Sequence, residues 1–299
     1  MGRDRDTTKG SATALGNLAL ASIATSERDP TVRHDDAIGT QFFRWSDGAV
    51  AAARLRLLHP ALRRAIERII PGIYGYGLAR MHHIDQILRQ EVSAGIDSLA
   101  ILGAGYDTRP YRMAEELADV RVFEVDHPTT SRDKRRRITE ALGSAPANVS
   151  FVEVDFIEDD LLNRLGEHGH ERSTRTLFLL SGVSMYLPDE VMLKLFDQVA
   201  AHTSEGTSLV FDYIDADVLV NPDGYYGKEW VPYATKVGEE PRWGISAGEG
   251  EALLARHGLR LASNMNAGDL QRAYLRRADG STVARPFEFG AIAQAFVTG

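Results

Sequence analysis

The feature that most constrains this chain is an alternation that begins near Gly95. Ser98–Leu102, Val120–Val125, Val149–Val154, Thr176–Leu180 and Ser208–Tyr213 are short apolar runs of strand length. Helical stretches separate them, notably Thr130–Leu142 and Pro188–His202. Strands that alternate with helices predict a mostly parallel sheet covered by helices on both faces. Two further runs, Leu259–Ala262 and Ala291–Val297, come at the end and suit an antiparallel edge pair, giving seven strands.

The segment before this alternation reads as helical, so residues 1–94 are expected to form a helical cap and residues 95–299 the core. Leu15, Leu18, Ala19 and Ser22 recur at helical spacing. Ala49–Ile70 places Leu55, Leu58, Leu62, Ile66 and Ile69 on one stripe, broken at His59-Pro60 because the residue before proline resists the α conformation. Tyr76–Gln90 reads as a third helix. Residues 214–246 differ, with three prolines, several glycines and Tyr225, Tyr226, Trp230, Tyr233 and Trp243. An aromatic-rich insertion after a strand's C-terminal end is either a substrate wall or a loop pinned to the core. Tyr213, Tyr225, Tyr226, Trp230 and Trp243 are the candidate acceptor contacts.

The net charge of −8 disfavours binding to phosphate backbones, so no nucleic-acid partner is expected. The basic cluster Arg132-Asp133-Lys134-Arg135-Arg136-Arg137 is read as a solvated helix face. The chain has no cysteine, which excludes disulfides, thiolate metal sites and a cysteine nucleophile. No apolar run approaches the ~20 residues that span a bilayer. The stretch Ala12–Ala24 is interrupted by Gly16, Asn17 and Ser22 and follows a segment without net positive charge, unlike a secretory leader. A cytoplasmic protein without a membrane partner is the expectation. His82 and His83 are adjacent on a helix and point apart, so no metal site is expected. Glu158-Asp159-Asp160 suits a helix start.

Three strand ends carry the chemistry. Gly103-Ala104-Gly105 follows the first strand, where a glycine turn lets backbone approach a ligand closely. Thr108 stands where a dinucleotide fingerprint has its third glycine, which weakens a nicotinamide or flavin reading. Asp126, 21 residues after Gly105, ends the second strand and suits the two hydroxyls of a ribose. Asp155 ends the third strand and suits an adenine amino group, with Phe156 against the ring. Together these point to an adenosine ligand without naming one.

The strings Leu102-Gly103-Ala104-Gly105-Tyr106-Asp107-Thr108-Arg109, Phe123-Glu124-Val125-Asp126-His127-Pro128 and Ser184-Met185-Tyr186-Leu187-Pro188 resemble the leucine carboxyl methyltransferase family, most closely its bacterial polyketide-type O-methyltransferase branch. The likeness covers most of the chain. It implies a class I methyltransferase, Rossmann-like α/β fold with an N-terminal helical cap, and S-adenosyl-L-methionine as cofactor. It implies that Arg80 holds the cofactor carboxylate, that Gly103 and Gly105 lie beside the methionine portion, and that Ala104, Asp107 and Arg109 belong to the cofactor site. Asp126 would take the ribose, and Asp155 and Phe156 the adenine. Ser181 stands where many members have glutamate.

Methyl transfer from a sulfonium needs alignment rather than a metal or a covalent residue. A carboxylate acceptor is already ionised at neutral pH, whereas a phenol benefits from a base. Tyr186 and His127 are the candidate catalytic residues, although Tyr186 is equally suited to packing. The expected acceptor is a small organic acid or natural-product phenol, and the protein a monomer or homodimer. The rival readings are a protein C-terminal carboxyl methyltransferase and a cofactor-binding regulator or cyclase without transferase activity.

Overall fold

The computed structural model describes residues 11–202, 204, 206–224 and 227–298. Seven strands form one sheet in the order β3-β2-β1-β4-β5-β7-β6. They are β1 (Ser98–Leu102), β2 (Arg121–Asp126), β3 (Val149–Glu153), β4 (Thr176–Leu180), β5 (Ser208–Ile214), β6 (Leu259–Asn266) and β7 (Gly290–Val297). The first five pair in parallel, and β7 runs antiparallel between β5 and β6. The mostly parallel seven-stranded sheet expected from the alternation is present, with most strand ends within a residue or two of the sequence reading. The β6 strand is the exception. It continues to Asn266 because the polar residues after Ala262 alternate exposed and half-buried along an edge.

Helices α1 (Ala12–Ala24), α2 (His59–Ile69) and α3 (Ile73–Ser93) precede the sheet. Ser11 caps α1 by accepting from the Ala14 amide at 3.1 Å. Gly72 turns the chain into α3 at a φ of +83°, where a Cβ would lie 2.4 Å from the Phe287 amide nitrogen. Side chains of α1 and α3 share one apolar core with Leu99, Ile101, Leu177, Leu179, Val210 and Ile214. The opposite face of the same strands, with Ala100, Leu102, Phe178, Leu180 and Phe211, packs under α6 (Leu161–Glu167), α7 (Asp189–His202) and α10 (Gly250–Arg256). Asp160 caps α6 from the acidic run expected to open a helix. The remaining helices are α4 (Arg109–Arg112), α5 (Pro128–Leu142), α8 (Asp217–Val220), α9 (Gly227–Lys236) and α11 (Ala267–Tyr274).

Two expectations need correction. The stripe across Ala49–Ile70 does not bury as a unit: Leu55, Leu58 and Ile69 are exposed, and only Leu62 and Ile66 pack inward. Trp45–Arg54 is a 3-10 segment bent at Gly48, and Pro60 opens α2, so the helical phase is not continuous across them. The basic cluster on α5 is not one solvated face either. Lys134 and Arg137 are buried while Arg132, Arg135 and Arg136 face out. Lys134 Nζ donates to Glu124 Oε1 at 2.7 Å, and Arg137 pairs with Asp47 and Asp133. Two buried carboxylates, Glu124 and Asp47, require these cations, and the helical period turns them inward.

Candidate active-site cleft

A cleft of about 1100 Å³ opens beyond the C-terminal ends of β1 to β4, between the sheet, α1, α3 and the segment after α9. Ligands of open α/β sheets bind at this edge, where the crossovers change direction. The volume exceeds the usual range for one small ligand, so a cofactor and an acceptor can share it. Arg80, Gly103, Ala104, Gly105, Asp107, Arg109, Asp126, Asp155, Phe156 and Ser181 all line it, as do His127 and Tyr186.

The floor is the turn after β1. Gly103 and Gly105 take φ of +70° and +44°, which side-chain-bearing residues rarely adopt. Gly105 donates its amide to Asp126 Oδ2 at 2.5 Å, and the His127 amide donates to Oδ1 at 2.7 Å. An ionised carboxylate can accept about four hydrogen bonds, so each Asp126 oxygen retains accepting capacity. Burial pushes the Asp126 carboxyl up from the ordinary range, and the two amides only partly oppose this. Asp155 Oδ1 accepts from the Ile157 amide at 3.0 Å, holding the loop after β3.

Arg80, on α3, donates through Nη1 to Asp212 Oδ2 at 2.6 Å and through Nη2 to Asn17 at 2.9 Å. Asp212 is fully buried in β5 and its Oδ1 also accepts from the Gly182 amide at 2.6 Å. Two of the five guanidinium N–H groups are thus spent on fixing the fork, and three are left for a ligand. Asp212 and Asn17 were missed by sequence reasoning. An acid in the middle of the apolar run Leu209-Val210-Phe211-Asp212-Tyr213-Ile214 was the available signal.

Arg109, which also lines the cleft, is braced by two carboxylates. Its Nη1 pairs with Asp107 Oδ2 at 2.5 Å and its Nε with Asp85 Oδ1 at 2.8 Å. Asp85 also takes Arg112 Nη2 at 2.6 Å and His34 Nε2 at 3.1 Å. Arg109 thereby fixes Asp107 at the cleft wall. Asp85 gave no signal in the sequence, because its partners lie 24 to 51 residues away.

The two candidate catalytic groups differ. Burial, then Glu239, pushes the Tyr186 phenol far above its usual value, so it stays protonated and can donate but not act as a base near neutrality. His127 caps α5, its Nδ1 accepting from the Thr129 amide at 3.3 Å, so the neutral ring in this geometry carries its hydrogen on Nε2 and can donate it to a ligand.

The aromatic calls on the insertion divide differently from expectation. Thr235, Lys236, Val237, Gly238, Glu239 and Arg242 wall the cleft, so part of the insertion does face it. Ser11 closes this side by donating to Glu239 at 2.6 Å. Tyr213, Trp230 and Trp243 do not line the cleft. Strand alternation turns Asp212 toward Arg80 and Tyr213 to the opposite face, where its hydroxyl meets Asn264. Trp243 packs against Phe196 and Phe211 and donates to Asp189 at 3.1 Å. Trp230 packs behind Tyr186, against Phe289. These rings pin the insertion to the core. Tyr225 and Tyr226 lie outside the described residues.

The family model for leucine carboxyl methyltransferase matches residues 14–200. A Bacillus subtilis protein, YktD, whose name assigns it to the S-adenosyl-L-methionine-dependent methyltransferases, is 32% identical over 195 residues, 64% of this chain and 64% of its own length. A similarly named protein of Mycolicibacterium smegmatis is 30% identical over 228 residues, 73% of this chain and 72% of its own. The match thus spans slightly less than two thirds of the first relative. The crystal structure of a DUF574-family protein from Streptomyces avermitilis shares the fold, with a TM-score of 0.60 at 15% identity over 99% of this chain and 100% of that one.

Proposed function

The chain belongs to the leucine carboxyl methyltransferase family, and we propose that it transfers a methyl group from S-adenosyl-L-methionine to an oxygen of a small organic acid or phenol. The observation that carries this reading is the convergence of Gly103–Gly105, Asp126, Asp155 and Arg80 on one cleft at the sheet's C-terminal edge. Their donor set fits the cofactor. Asp126 has accepting capacity for two ribose hydroxyls, Arg80 has N–H groups for a carboxylate, and Asp155 with Phe156 suits an adenine. When bound, S-adenosyl-L-methionine supplies a methyl group already activated by its sulfonium.

The protein's share is alignment and exclusion of water. Asp212 and Asn17 hold the Arg80 fork, Asp107 is fixed by Arg109, and α1 with residues 235–242 walls the cleft. Tyr186 orients the acceptor by donating its phenolic hydrogen. Where the acceptor is a phenol, His127 takes its proton on Nε2 from the Nδ1–H tautomer, which releases the Thr129 cap; a carboxylate acceptor needs no such step.

Calorimetry tests the cofactor: S-adenosyl-L-methionine or S-adenosylhomocysteine should bind and NAD and FAD should not. Tight NAD binding without a response to the sulfur ligands overturns the reading. Arg80→Lys should weaken S-adenosyl-L-methionine binding, because an ammonium cannot reproduce the bidentate fork. A decarboxylated analogue should feel the change less, and equal losses would make Arg80 purely structural. A mass-detected screen of carboxylates and phenols then tests the acceptor. With a carboxylate, single-turnover rates should stay flat from about pH 6 to 9, since its ionisation lies near 4. A rising limb that disappears in His127→Ala would instead identify a phenol with His127 as base. Methyl on nitrogen or carbon would reject oxygen transfer.

A further inference from the structure

The N-terminal cap carries a surface that the cleft chemistry does not use. Trp45, Leu55, Leu57, Leu58 and Ile69 are five of the nine exposed large apolar residues among the described ones, and all fall within 25 residues of sequence. Leu57, at the turn before α2, is 96% exposed. Along α2 the outward positions continue at four-residue spacing through Ala61, Ala65 and Ile69, with exposed Arg64 and Arg68 beside them. Arg54 lies over the Trp45 ring at 5.5 Å, and Arg56 flanks Leu57. Residues 45–69 hold five arginines against two acids in a chain whose net charge is −8.

We propose that this face docks the protein on an anionic lipid surface. Among the described residues no helix is long and apolar enough to cross a membrane, which bears on spanning and not on surface docking. A protruding leucine turn, an exposed tryptophan and arginines with apolar stems form the composition that settles into a headgroup layer. The local basic excess is complementary to anionic headgroups, whereas the rest of the chain would be repelled by them. The opposite side of this face packs on α1, which walls the cleft, so docking would hold the cleft at a fixed height above the lipid.

The test is co-sedimentation of the full chain with phosphatidylcholine vesicles and with vesicles containing about one third phosphatidylglycerol. Binding to the anionic vesicles should exceed binding to the neutral ones and should fall with added salt. Trp45 is 67% exposed while Trp230 and Trp243 are 5% and 3% exposed, so a blue shift of tryptophan emission on docking reports this face. Leu57→Asp should abolish the shift. Replacing Arg64 and Arg68 by alanine should weaken anionic binding by about 25-fold, roughly fivefold for each charge. Both variants should keep the wild-type melting temperature and affinity for S-adenosylhomocysteine. Equal binding to both vesicles, no binding, or binding unchanged in the variants overturns the proposal. A concentration-dependent dimer that Leu57→Asp dissociates would assign the face to a second copy of the chain and overturn it as well.

Discussion

Asp85→Ala should cost about 3–5 kcal/mol of folding stability, the usual effect of removing one partner from a buried ion-pair cluster. Asp85 Oδ1 receives both Arg109 Nε and Arg112 Nη2, and Oδ2 receives His34 Nε2, with Asp85, Arg109 and His34 buried and Arg112 at the margin of burial. The substitution leaves Arg112 without its carboxylate and Arg109 with Asp107 alone. Urea unfolding should show a lower midpoint at unchanged slope. A loss below about 1 kcal/mol would mean that the cluster relaxes or hydrates and is not a structural hub.

Asp85→Asn separates charge from shape. Burial alone would raise the Asp85 carboxyl, but Arg109, His34 and Arg112 pull it well below the ordinary range. Its ionised form therefore stabilises the fold fully above an unfolded value near 4, and the contribution is lost as pH falls through the depressed native value. The stability gap between wild type and Asp85→Asn should be full at neutral pH and narrow below about pH 4. A gap independent of pH would assign the effect to lost hydrogen bonds rather than charge.

The cluster also marks where sequence reasoning stops. Strand ends announce themselves: the mostly apolar run Val122–Val125 closes on Asp126, the last residue of β2, and position along the chain places Asp126 and Asp155 at one edge of the sheet. Pairings between distant segments carry no such periodicity. Nothing local to Asp85 foretells His34, and nothing in the run Arg132–Arg137 foretells that Lys134 and Arg137 turn inward to Glu124 and Asp47. The aromatic insertion shows the same limit. Ring content predicted burial of Trp230 and Trp243 against something, but not whether that was a ligand or the core beneath. Parity along β5 decides it for Tyr213 and Asp212, and the register needed for that argument comes from the pairing with β4 and β7.

Asp126→Ala should weaken S-adenosylhomocysteine binding by about 10- to 150-fold, the equivalent of losing hydrogen bonds to a charged acceptor, roughly 1.5–3 kcal/mol. Burial raises the pKa of the Asp126 carboxyl against the two amides of Gly105 and His127. Ligand hydroxyls that donate to the ionised form relieve this, so binding should favour the carboxylate. Wild-type affinity should therefore fall as pH drops through the raised value, above the ordinary 3.9, while Asp126→Ala should lack that limb. Calorimetric titrations of both proteins between about pH 4 and 8 measure it, with the melting temperature checking that the variant folds. Unchanged affinity in a folded variant would reduce Asp126 to a brace for the Gly105 turn. A variant that loses affinity yet keeps the acid limb would move the titrating group elsewhere in the cleft, leaving Asp155 and Asp107 as the carboxylates to replace next.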